Sequence, residues 1–493
     1  GIFMNLYSLE KQHKRGKLHV IERIRLIFDK NTFVSRDENG IGKDNASYDG
    51  VITGYGEIEG QRVYFYGQDY TYMGGTFGLI HCRQIVETIE EAIREKCPII
   101  GLYDGGGARI QEGAAAVGGC GELFMANAKA SGYIPQISII AGTCAGGAVY
   151  SPGLTDFIFT IDEISNMFVT GAKVINKIQG TDYLSEELGS GKMHSTISGV
   201  SHFNEKSEEE CYKKVRKLIG ILPPVYKESV DLVTEKFEDK DLSLLSDFLP
   251  EDYDKEYDIR RIIYAVFDHT SFFEIQEEFA KNIVIGFAKL GGNTVGIVAS
   301  QPQHLDGVID TDGADKVSRF VNFCDAYNIP IITLVDSPGF LMRLEEEQKG
   351  LIRHGAKMIH AYANATTIKL TVILRKAYGG PYIFFGSKQL GADKSYIWPK
   401  ASVTVMKAEA AVAVIYHNEV QRIESIEKED YLLEKVKLYK EDFMNSKGIL
   451  AGGFVDEELE PEDTRRRLYE DLLYFNSNKR KDTIIKKHGN MPV

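Results

Sequence analysis

The strongest constraint on the fold of this chain is a pattern of strand and glycine turn that occurs twice. Residues 97–109 read CPIIGLYDGGGAR and residues 329–340 read IPIITLVDSPGF, so each apolar run ends in an Asp and a glycine-containing turn. In each copy a second apolar run follows and ends in a Gly-Gly pair, within QISIIAGTCAGGAVYSP and KLTVILRKAYGGPYIFF. The Asp-to-Gly separations are 42 residues (146 − 104) and 43 residues (379 − 336). Such self-similarity predicts two copies of one domain.

The repeated glycine pairs predict two sites that stabilise a developing oxyanion. A lone glycine pair at a strand end is usually just a tight turn, because glycine adopts conformations closed to other residues. Here the pair recurs at the same position in both halves, each time before a predicted helix. A helix N-terminus offers unpaired N–H groups, and glycine lets a ligand approach them closely. Donors of this kind suit a thioester oxygen that becomes an enolate.

Length and composition favour a two-domain globular protein. The chain has 493 residues, 43% of them hydrophobic and 26% charged, which fits two domains of about 200–250 residues. A net charge of −13 argues against nucleic acid as the main partner. No apolar run approaches the length of a membrane span, and the start lacks the apolar core of a secretory signal. We therefore expect a cytoplasmic protein.

The cysteines and charged clusters give no sign of a metal site. The chain has six cysteines, and no two are spaced as CxxC, so we expect no zinc ribbon. Cys144 lies two residues before the first glycine pair, but no nearby His could activate it as a nucleophile. We interpret it as a small residue beneath a tight turn.

Alternation of predicted strands and helices indicates an α/β fold with mostly parallel sheets. Residues 50–67 are predicted to form a hairpin and residues 77–96 an amphipathic helix. The second half repeats both elements, with FAKLGGNTVGIVASQP as the hairpin and DTDGADKVSRFVNFCDAYN as the helix. The charged stretch 203–258 predicts a boundary, and the tail from residue 455 is predicted to be helical to about residue 490.

Six long stretches, in the same order along the chain, identify a resemblance to a known family. The chain resembles the carboxyltransferase (beta) subunits of biotin-dependent acyl-CoA carboxylases, the propionyl-CoA and acetyl-CoA type above all. The stretches are YDGGGARIQEG (103–113), CAGGAVYSPGLTDFIF (144–159), DSPGF (336–340), IRHGAKMIHAYANAT (352–366), RKAYGGPY (375–382) and YIWPKASVTVM (396–406).

The resemblance implies two tandem crotonase-like domains built from ββα repeats, assembled as a homo-hexamer (a trimer of dimers). Residues 1–235 would form the N-terminal domain that binds acyl-CoA, and residues 236–493 the C-terminal domain that receives carboxybiotin. Biotin would be carried on a partner, a biotin carboxylase and biotin carboxyl carrier subunit, because the chain has no room for those domains. A coenzyme A thioester would be the substrate.

The resemblance also implies which residues act. The amides of Gly146 and Gly147 would hold the thioester oxygen as it becomes an enolate. The second turn, with Gly379, Gly380 and position 381, would hold the ureido oxygen of carboxybiotin. The residues that would contact substrate in the first domain are Gly106, Gly107, Ala108, Arg109, Ala145 and Tyr150.

Two departures from the family pattern lie in the second turn. Pro381 stands where the family usually has Ala, and proline has no N–H to donate. One of two donors to the ureido oxygen would then be missing, and losing one such donor costs roughly 10²–10³ in rate in a well-studied case. Ile383 stands where propionyl-type members usually carry Asp beside the acyl pocket, which indicates either a different acyl chain or simple drift of a pocket wall.

Three functions therefore stay open at the level of sequence. The first is the carboxyltransferase subunit of an acyl-CoA carboxylase. The second is a decarboxylase or transcarboxylase acting on a malonyl-type CoA thioester, which could tolerate a weaker second oxyanion hole. The third is a structural paralogue in a hetero-hexamer, which Pro381 suggests and the intact first turn disfavours.

Overall fold

The computed structural model describes residues 6–36, 48–478 and 484–493. The chain forms two compact units, Gly1–Lys227 and Glu228–Val493. Each unit contains one sheet with helices packed against it, so the predicted α/β class is confirmed. The expected assignment of acyl-CoA to residues 1–235 and of carboxybiotin to residues 236–493 stays a prediction.

One sheet organises the described residues of the first unit. Its strand order is β1-β2-β3-β4-β5-β6-β8, with β7 paired to β5 beside β6. The β2–β3 pair is an antiparallel hairpin, as predicted, and β3, β4, β5 and β6 are parallel. The strands are β1 Val34–Ser35, β2 Val51–Ile58, β3 Gln61–Gln68, β4 Ile99–Gly105, β5 Gln136–Ala145, β6 Phe157–Ile161, β7 Asn166–Phe168 and β8 Phe203–Glu205.

Helices cover the sheet of the first unit. The helices are α1 Leu6–Lys14, α2 Val20–Ile27, α3 Leu79–Glu95, α4 Ala114–Ala130, α5 Tyr150–Gly153, α6 Ala172–Gln179, α7 Ser185–Gly189, α8 Gly191–Met193 and α9 Glu208–Ile221. The amphipathic helix predicted for residues 77–96 is confirmed as α3. It buries Cys82, Ile85 and Ile89 at helical spacing, and Lys96 ends it in the left-handed conformation.

The second unit repeats the sheet of the first. Its order is β9-β10-β11-β12-β13-β14-β16, with β15 paired to β13, so each strand has a counterpart at the same place. This identity of order confirms the duplication predicted from sequence. The strands are β9 Phe273–Ile275, β10 Ile283–Leu290, β11 Asn293–Ser300, β12 Ile331–Ser337, β13 Lys369–Tyr378, β14 Lys394–Ile397, β15 Ser402–Thr404 and β16 Glu457–Glu458.

The helices of the second unit include one shorter than predicted. The helices are α10 Arg260–Val266, α11 Thr311–Ala326, α12 Leu344–Gln348, α13 Leu351–Asn364, α14 Gly380–Phe384, α15 Ala408–Ile415, α16 His417–Gln421, α17 Ser425–Phe443, α18 Ser446–Ala451 and α19 Thr464–Asn478. The tail prediction was wrong in extent, because residues 484–493 have no regular structure. Residues 479–483 lie outside the described residues. A run of charge supplies no apolar stripe that would hold a helix in place.

Candidate active site

The two Asp residues of the repeat lie at the ends of β4 and β12 and are fully buried. Asp104 is ion-paired with Lys17 at 2.6 Å and with Arg23 at 2.8 Å, and it accepts a hydrogen bond from Gln12 at 3.2 Å. Its backbone N–H donates to Gln68 Oε1 at 2.9 Å. Buried carboxylates need such partners, so Asp104 fixes the end of β4 rather than acting on a ligand.

Asp336 fixes the end of β12 in the same way with different partners. Arg375 Nε donates to its carboxylate at 2.9 Å, and the Tyr257 hydroxyl donates at 2.7 Å. The Asp336 N–H donates to Ser300 Oγ at 3.1 Å. The pairing of Arg375 with Asp336 was not predicted from the sequence. The signal was present, because Arg375 lies within the fully buried strand β13, where a charge needs a partner.

A relay of hydrogen bonds joins the Asp104 turn to the start of β2. The side-chain amide nitrogen of Gln68, Nε2, lies 3.3 Å from His81 Nε2. The other ring nitrogen, His81 Nδ1, lies 2.8 Å from the backbone carbonyl oxygen of Asp49. Both contacts are satisfied when neutral His81 carries its proton on Nδ1. Burial lowers the pKa of His81 to about 4, which favours that neutral form.

The first glycine turn begins where β5 ends. Gly146 has φ of +67°, and Gly146–Val149 form a 3₁₀ turn that leads directly into α5. Gly146 directly follows Ala145, which pairs with Phe168 in the β5–β7 ladder, and Gly147 is the second residue of the 3₁₀ turn, where an N–H has no partner within the turn. Gly147 is exposed, so its amide is open to a ligand. The turn therefore presents the Gly147 amide at the N-terminal end of a helical segment, an arrangement that suits an oxyanion.

The predicted substrate-binding stretches of the first unit lie next to each other. Gly107 has φ of +92°, and a Cβ there would lie 2.8 Å from the carbonyl oxygen of Ala145, so the two turns approach closely. The exposed Gly106 donates its N–H to a neighbouring turn at 3.1 Å, and Ala108 pairs with residue 77 in an isolated bridge. These backbones form one wall beside the first glycine turn.

Arg109 and Tyr150 flank that wall in different environments. The Arg109 guanidinium is buried and lies 2.6 Å from Asp49 and 2.7 Å from Glu112. Its remaining nitrogens donate to Thr76. Tyr150 is 53% exposed. Arg109 therefore anchors the 106–109 stretch, whereas Tyr150 is available to a ligand.

The second glycine turn resembles the first in its backbone but contains a proline. Gly379 has φ of +64°, close to that of its counterpart Gly146, and its N–H donates to Thr404 O at 2.7 Å. Gly380 is the first residue of α14, where an N–H has no partner within the helix, and Pro381 has no N–H. Of these two positions, only Gly380 carries a donor.

An aromatic ring fixes Gly380 in place. A Cβ at this position would lie 2.1 Å from Phe340 Cε2, so no side chain fits there. Phe340 belongs to the DSPGF stretch and makes an edge contact with Phe384 of α14 at 4.9 Å. Ile383 of the same helix is half-buried. No role for Phe340 was predicted from the sequence, and its contact with Gly380 is seen only in the packing.

A cavity of about 510 Å³ opens beside the second turn. Tyr378 and Pro338, each adjacent to one of the turn stretches, form part of its wall. Five carboxylates and three lysines also line it: Glu251, Asp252, Asp254, Asp306, Glu409, Lys376, Lys407 and Lys440. The carboxylates outnumber the lysines, so this cavity disfavours a polyphosphate.

The described residues near the first turn include a buried cysteine and no cluster of metal ligands. Cys144 is buried beneath the first turn, and burial raises its pKa to about 12, so it stays a thiol. Within residues 6–36, 48–478 and 484–493, no cluster of three His, Cys, Asp or Glu side chains could hold a metal ion. In the same ranges no helix is long and apolar enough to span a bilayer.

Comparison with known proteins decides the family. A model of the carboxyl transferase domain matches residues 11–491. The chain belongs to the carboxyl transferase family.

Relatives of this family match over nearly their whole length. The propionyl-CoA carboxylase carboxyltransferase subunit of Haloferax mediterranei is 43% identical, over 98% of this chain and 95% of the relative. Methylmalonyl-CoA decarboxylase subunit alpha of Veillonella parvula is 42% identical, over 98% and 95%. A transcarboxylase 12S structure, described as a hexamer with methylmalonyl-coenzyme A bound, superposes with a TM-score of 0.92 at 40% identity, over 99% and 94%. This carboxyl transferase therefore has the two tandem crotonase-like domains that the resemblance implied.

Proposed function

We propose that this chain transfers a carboxyl group between biotin and the α-carbon of an acyl-CoA through an enolate bound at the first glycine turn. The observation that carries the proposal is the glycine pair Gly146–Gly147 at the end of β5, whose exposed Gly147 amide lies at the start of a helical segment. In the carboxyl transferase family such a pair suits the oxygen of a thioester. The reaction class follows from that fit.

Two backbone donors account for the chemistry at the thioester. The N–H groups of Gly146 and Gly147 bond more strongly to the enolate oxygen than to the neutral carbonyl, which lowers the barrier to forming or carboxylating the α-carbanion. The positive end of the helical segment adds to this stabilisation. No side-chain nucleophile is required, which agrees with the protonated, buried Cys144.

The wall of Gly106, Gly107, Ala108 and Ala145 is the proposed contact for the thioester and its neighbouring amide groups. Glycine at positions 106 and 107 lets the substrate approach the backbone closely. Tyr150 covers the open side of the turn. Arg109 supports the wall from behind, because its guanidinium is already bonded to two carboxylates.

The second turn fits the ureido group of biotin with one donor rather than two. Gly380 would hold the ureido oxygen, Gly379 sets the turn, and Pro381 and Ile383 border the site on α14. Biotin, delivered by a carrier protein, supplies or accepts the carboxyl group when bound. The hydrogen bond from Gly380 favours negative charge on the ureido oxygen.

A second function, a decarboxylase or transcarboxylase acting on a malonyl-type CoA thioester, is favoured by one observation. Pro381 leaves the second turn without an N–H at that position, whereas every residue of the first turn, Gly146–Val149, has one. Removal of a carboxyl group from a malonyl-type thioester requires the first turn to stabilise the enolate. It depends less on how well the second turn stabilises the ureido oxygen of biotin. Relatives named methylmalonyl-CoA decarboxylase and transcarboxylase share 42% and 40% of the sequence.

The proposed partners are acyl-CoA, a biotin carboxylase with its biotin carboxyl carrier subunit, and further copies of this chain. The transcarboxylase 12S structure is a hexamer, and its close superposition supports a homo-hexamer built as a trimer of dimers. All six cysteines are unpaired and buried, which fits the reducing cytoplasm.

Carboxyl transfer is tested by measuring CO2 release from thioesters with and without free biotin. Purified chain with free biotin should release CO2 from methylmalonyl-CoA or malonyl-CoA, and Gly147→Ala should lower kcat about tenfold or more by crowding the oxyanion. No neighbour lies within 4 Å of a Cβ at position 147, so the variant should fold. Gly118→Ala, also with open space around its Cβ, is the matched control. Unchanged kcat in Gly147→Ala would exclude the turn as the oxyanion site.

A further inference from the structure

A chain of buried polar side chains ends on the short helix that follows the first glycine turn. The Tyr66 hydroxyl lies 2.7 Å from the Tyr103 hydroxyl, which lies 2.8 Å from Ser151 Oγ. Ser151 Oγ donates to Asn127 Oδ1 at 2.8 Å, and Asn127 Nδ2 donates to Gln136 Oε1 at 3.1 Å. All five side chains are buried. These five residues are called the hydroxyl chain below.

The hydrogen bonds of the hydroxyl chain run in one direction. Gln136 Nε2 donates to the backbone carbonyl of Asn127 at 3.0 Å, which fixes both side-chain amides. Since Ser151 donates to Asn127, it must accept from Tyr103, and Tyr103 must accept from Tyr66. Burial raises the pKa of Tyr66 to about 12, so its proton is retained at neutral pH. A buried network in which each member is bonded holds its members rigidly.

Ser151 links this network to the glycine turn. It belongs to α5, which continues from the turn Gly146–Val149 without a break. Its hydroxyl bonds α5 to β4 through Tyr103 and to α4 through Asn127. Gly146 and Gly147 join β5 to α5, so the position of their amides depends on how α5 is held.

Gly101 shows how the strand accommodates the hydroxyl chain. It lies in the buried interior of β4, where a β-branched residue would be expected. A Cβ at this position would lie 2.4 Å from the Tyr66 hydroxyl oxygen. The missing side chain therefore makes room for the Tyr66 ring to reach Tyr103.

The second unit lacks the hydroxyl chain at the same positions. By matched strand register and turn spacing, Val298, Val335 and Phe384 stand where the first unit has Tyr66, Tyr103 and Ser151. The second turn is held instead by apolar packing against Phe340 and by proline at position 381. The hydroxyl chain therefore has no counterpart at these three positions of the second unit.

We propose that the hydroxyl chain is a positioning device that aims the amides of Gly146 and Gly147 at the thioester oxygen. The inference rests on the proposed function. Displacement of such donors by a fraction of an ångström weakens the bond to the enolate more than the bond to the neutral thioester. Ser151 and Tyr103 act through the turn and touch no reacting atom.

The test removes single hydroxyls in the full chain. Ser151→Ala and Tyr103→Phe should each lower kcat for biotin-dependent CO2 release from methylmalonyl-CoA about 10- to 100-fold, with KM changed less than about threefold. The double variant should lose little more than either single variant, because both break the same chain. Tyr362→Phe is the control, since Tyr362 is a buried tyrosine whose hydroxyl lies 2.9 Å from Thr333 in the second unit. It should destabilise the fold similarly and keep kcat.

A spectroscopic signature separates positioning from stability. The infrared stretch of a ¹³C-labelled thioester carbonyl in bound propionyl-CoA should move to lower frequency in the wild-type chain. In Ser151→Ala the band should return toward its value in solution. Folded variants that keep both kcat and the shifted band would overturn the inference. A wild-type chain with no turnover and no shifted band would instead contradict the proposed function.

Discussion

At the residue scale, one substitution separates the two glycine turns in their capacity to hold an oxyanion. Both turns bend at a glycine of nearly equal φ, +67° at Gly146 and +64° at Gly379. Every residue of the first turn has an N–H, and the second turn lacks one at position 381, because that residue is proline. The sequence alone predicted this difference, since the missing N–H is a property of proline and needs no coordinates.

Restoring that donor should raise the rate. Pro381→Ala adds an N–H at the N-terminal end of α14, and we expect biotin-dependent turnover to rise about 10-fold or more because a second donor reaches the ureido oxygen. Turnover of methylmalonyl-CoA with and without free biotin is the measurement. Loss of proline should cost less than about 1 kcal/mol in the free energy of unfolding. No gain in biotin-dependent turnover would mean that position 381 does not face biotin.

His81 gives the fold a defined sensitivity to acid. Its pKa is about 4 in the folded chain and about 6.5 in an unfolded one, so the unfolded state binds more protons between these values. Stability should therefore fall as pH drops from about 6.5 to about 4, by up to about 3 kcal/mol. The melting temperature of His81→Gln should change less between pH 7 and pH 5 than that of wild type. Exposed His417→Gln is the control, and an equal pH effect in His81→Gln would refute this origin.

At the scale of elements, the strands and the amphipathic helices could be predicted because their periodicity is local. The hairpins, α3, α11 and the order of alternation follow from such patterns. The partners of Asp104 could not be predicted, since Lys17 and Arg23 lie more than eighty residues away in sequence. The contact of Phe340 with Gly380 could not be predicted either, because these two residues are also far apart in sequence. Packing between distant segments leaves no periodic signal in sequence.

The ion pairs of Asp104 dock α2 and the preceding loop onto β4. Asp104→Asn leaves Lys17 without a carboxylate and weakens the pairing of fully buried Arg23, so we expect a loss of about 3 kcal/mol in the free energy of unfolding. Denaturant unfolding measures it. Glu209→Gln, which removes an exposed pair with Lys213, should cost under about 1 kcal/mol. Equal small losses in both variants would show that the buried carboxylate is not the anchor.

The contact between Phe340 and Gly380 makes the second turn intolerant of any side chain. Gly380→Ala places a methyl 2.1 Å from the Phe340 ring, so either the ring or α14 must shift. We expect a loss of about 1–3 kcal/mol in stability and a fall in biotin-dependent turnover. Adding Phe340→Leu should recover part of the stability, as thermal unfolding would show. If Gly380→Ala alone were neutral, the ring would not be what fixes the turn.

At the scale of the whole molecule, duplication gives one chain two similar turns that have diverged. The sheets share one strand order, yet the first turn is held by buried hydroxyls and the second by apolar packing. Family resemblance predicted the two-domain fold, and the superposition with a transcarboxylase 12S structure confirms it. The acyl group of the substrate could not be predicted, because Ile383 is compatible with several different acyl chains.

Assembly can be measured independently of activity. A homo-hexamer of this 55.2 kDa chain should sediment with a mass of about 330 kDa, six times that of the chain. Analytical ultracentrifugation at micromolar concentration measures this mass. A stable monomer or dimer at that concentration would contradict the proposed assembly and leave the chemistry of each turn to be tested separately.

The most direct test of carboxyl transfer through an enolate is the release of CO2 from methylmalonyl-CoA by the purified chain, measured with and without free biotin. The account predicts release that depends on biotin and falls in Gly147→Ala while Gly118→Ala stays active. Release that is independent of biotin would favour the decarboxylase over the carboxyltransferase. A folded chain that binds the thioester and releases no CO2 under either condition would contradict the account.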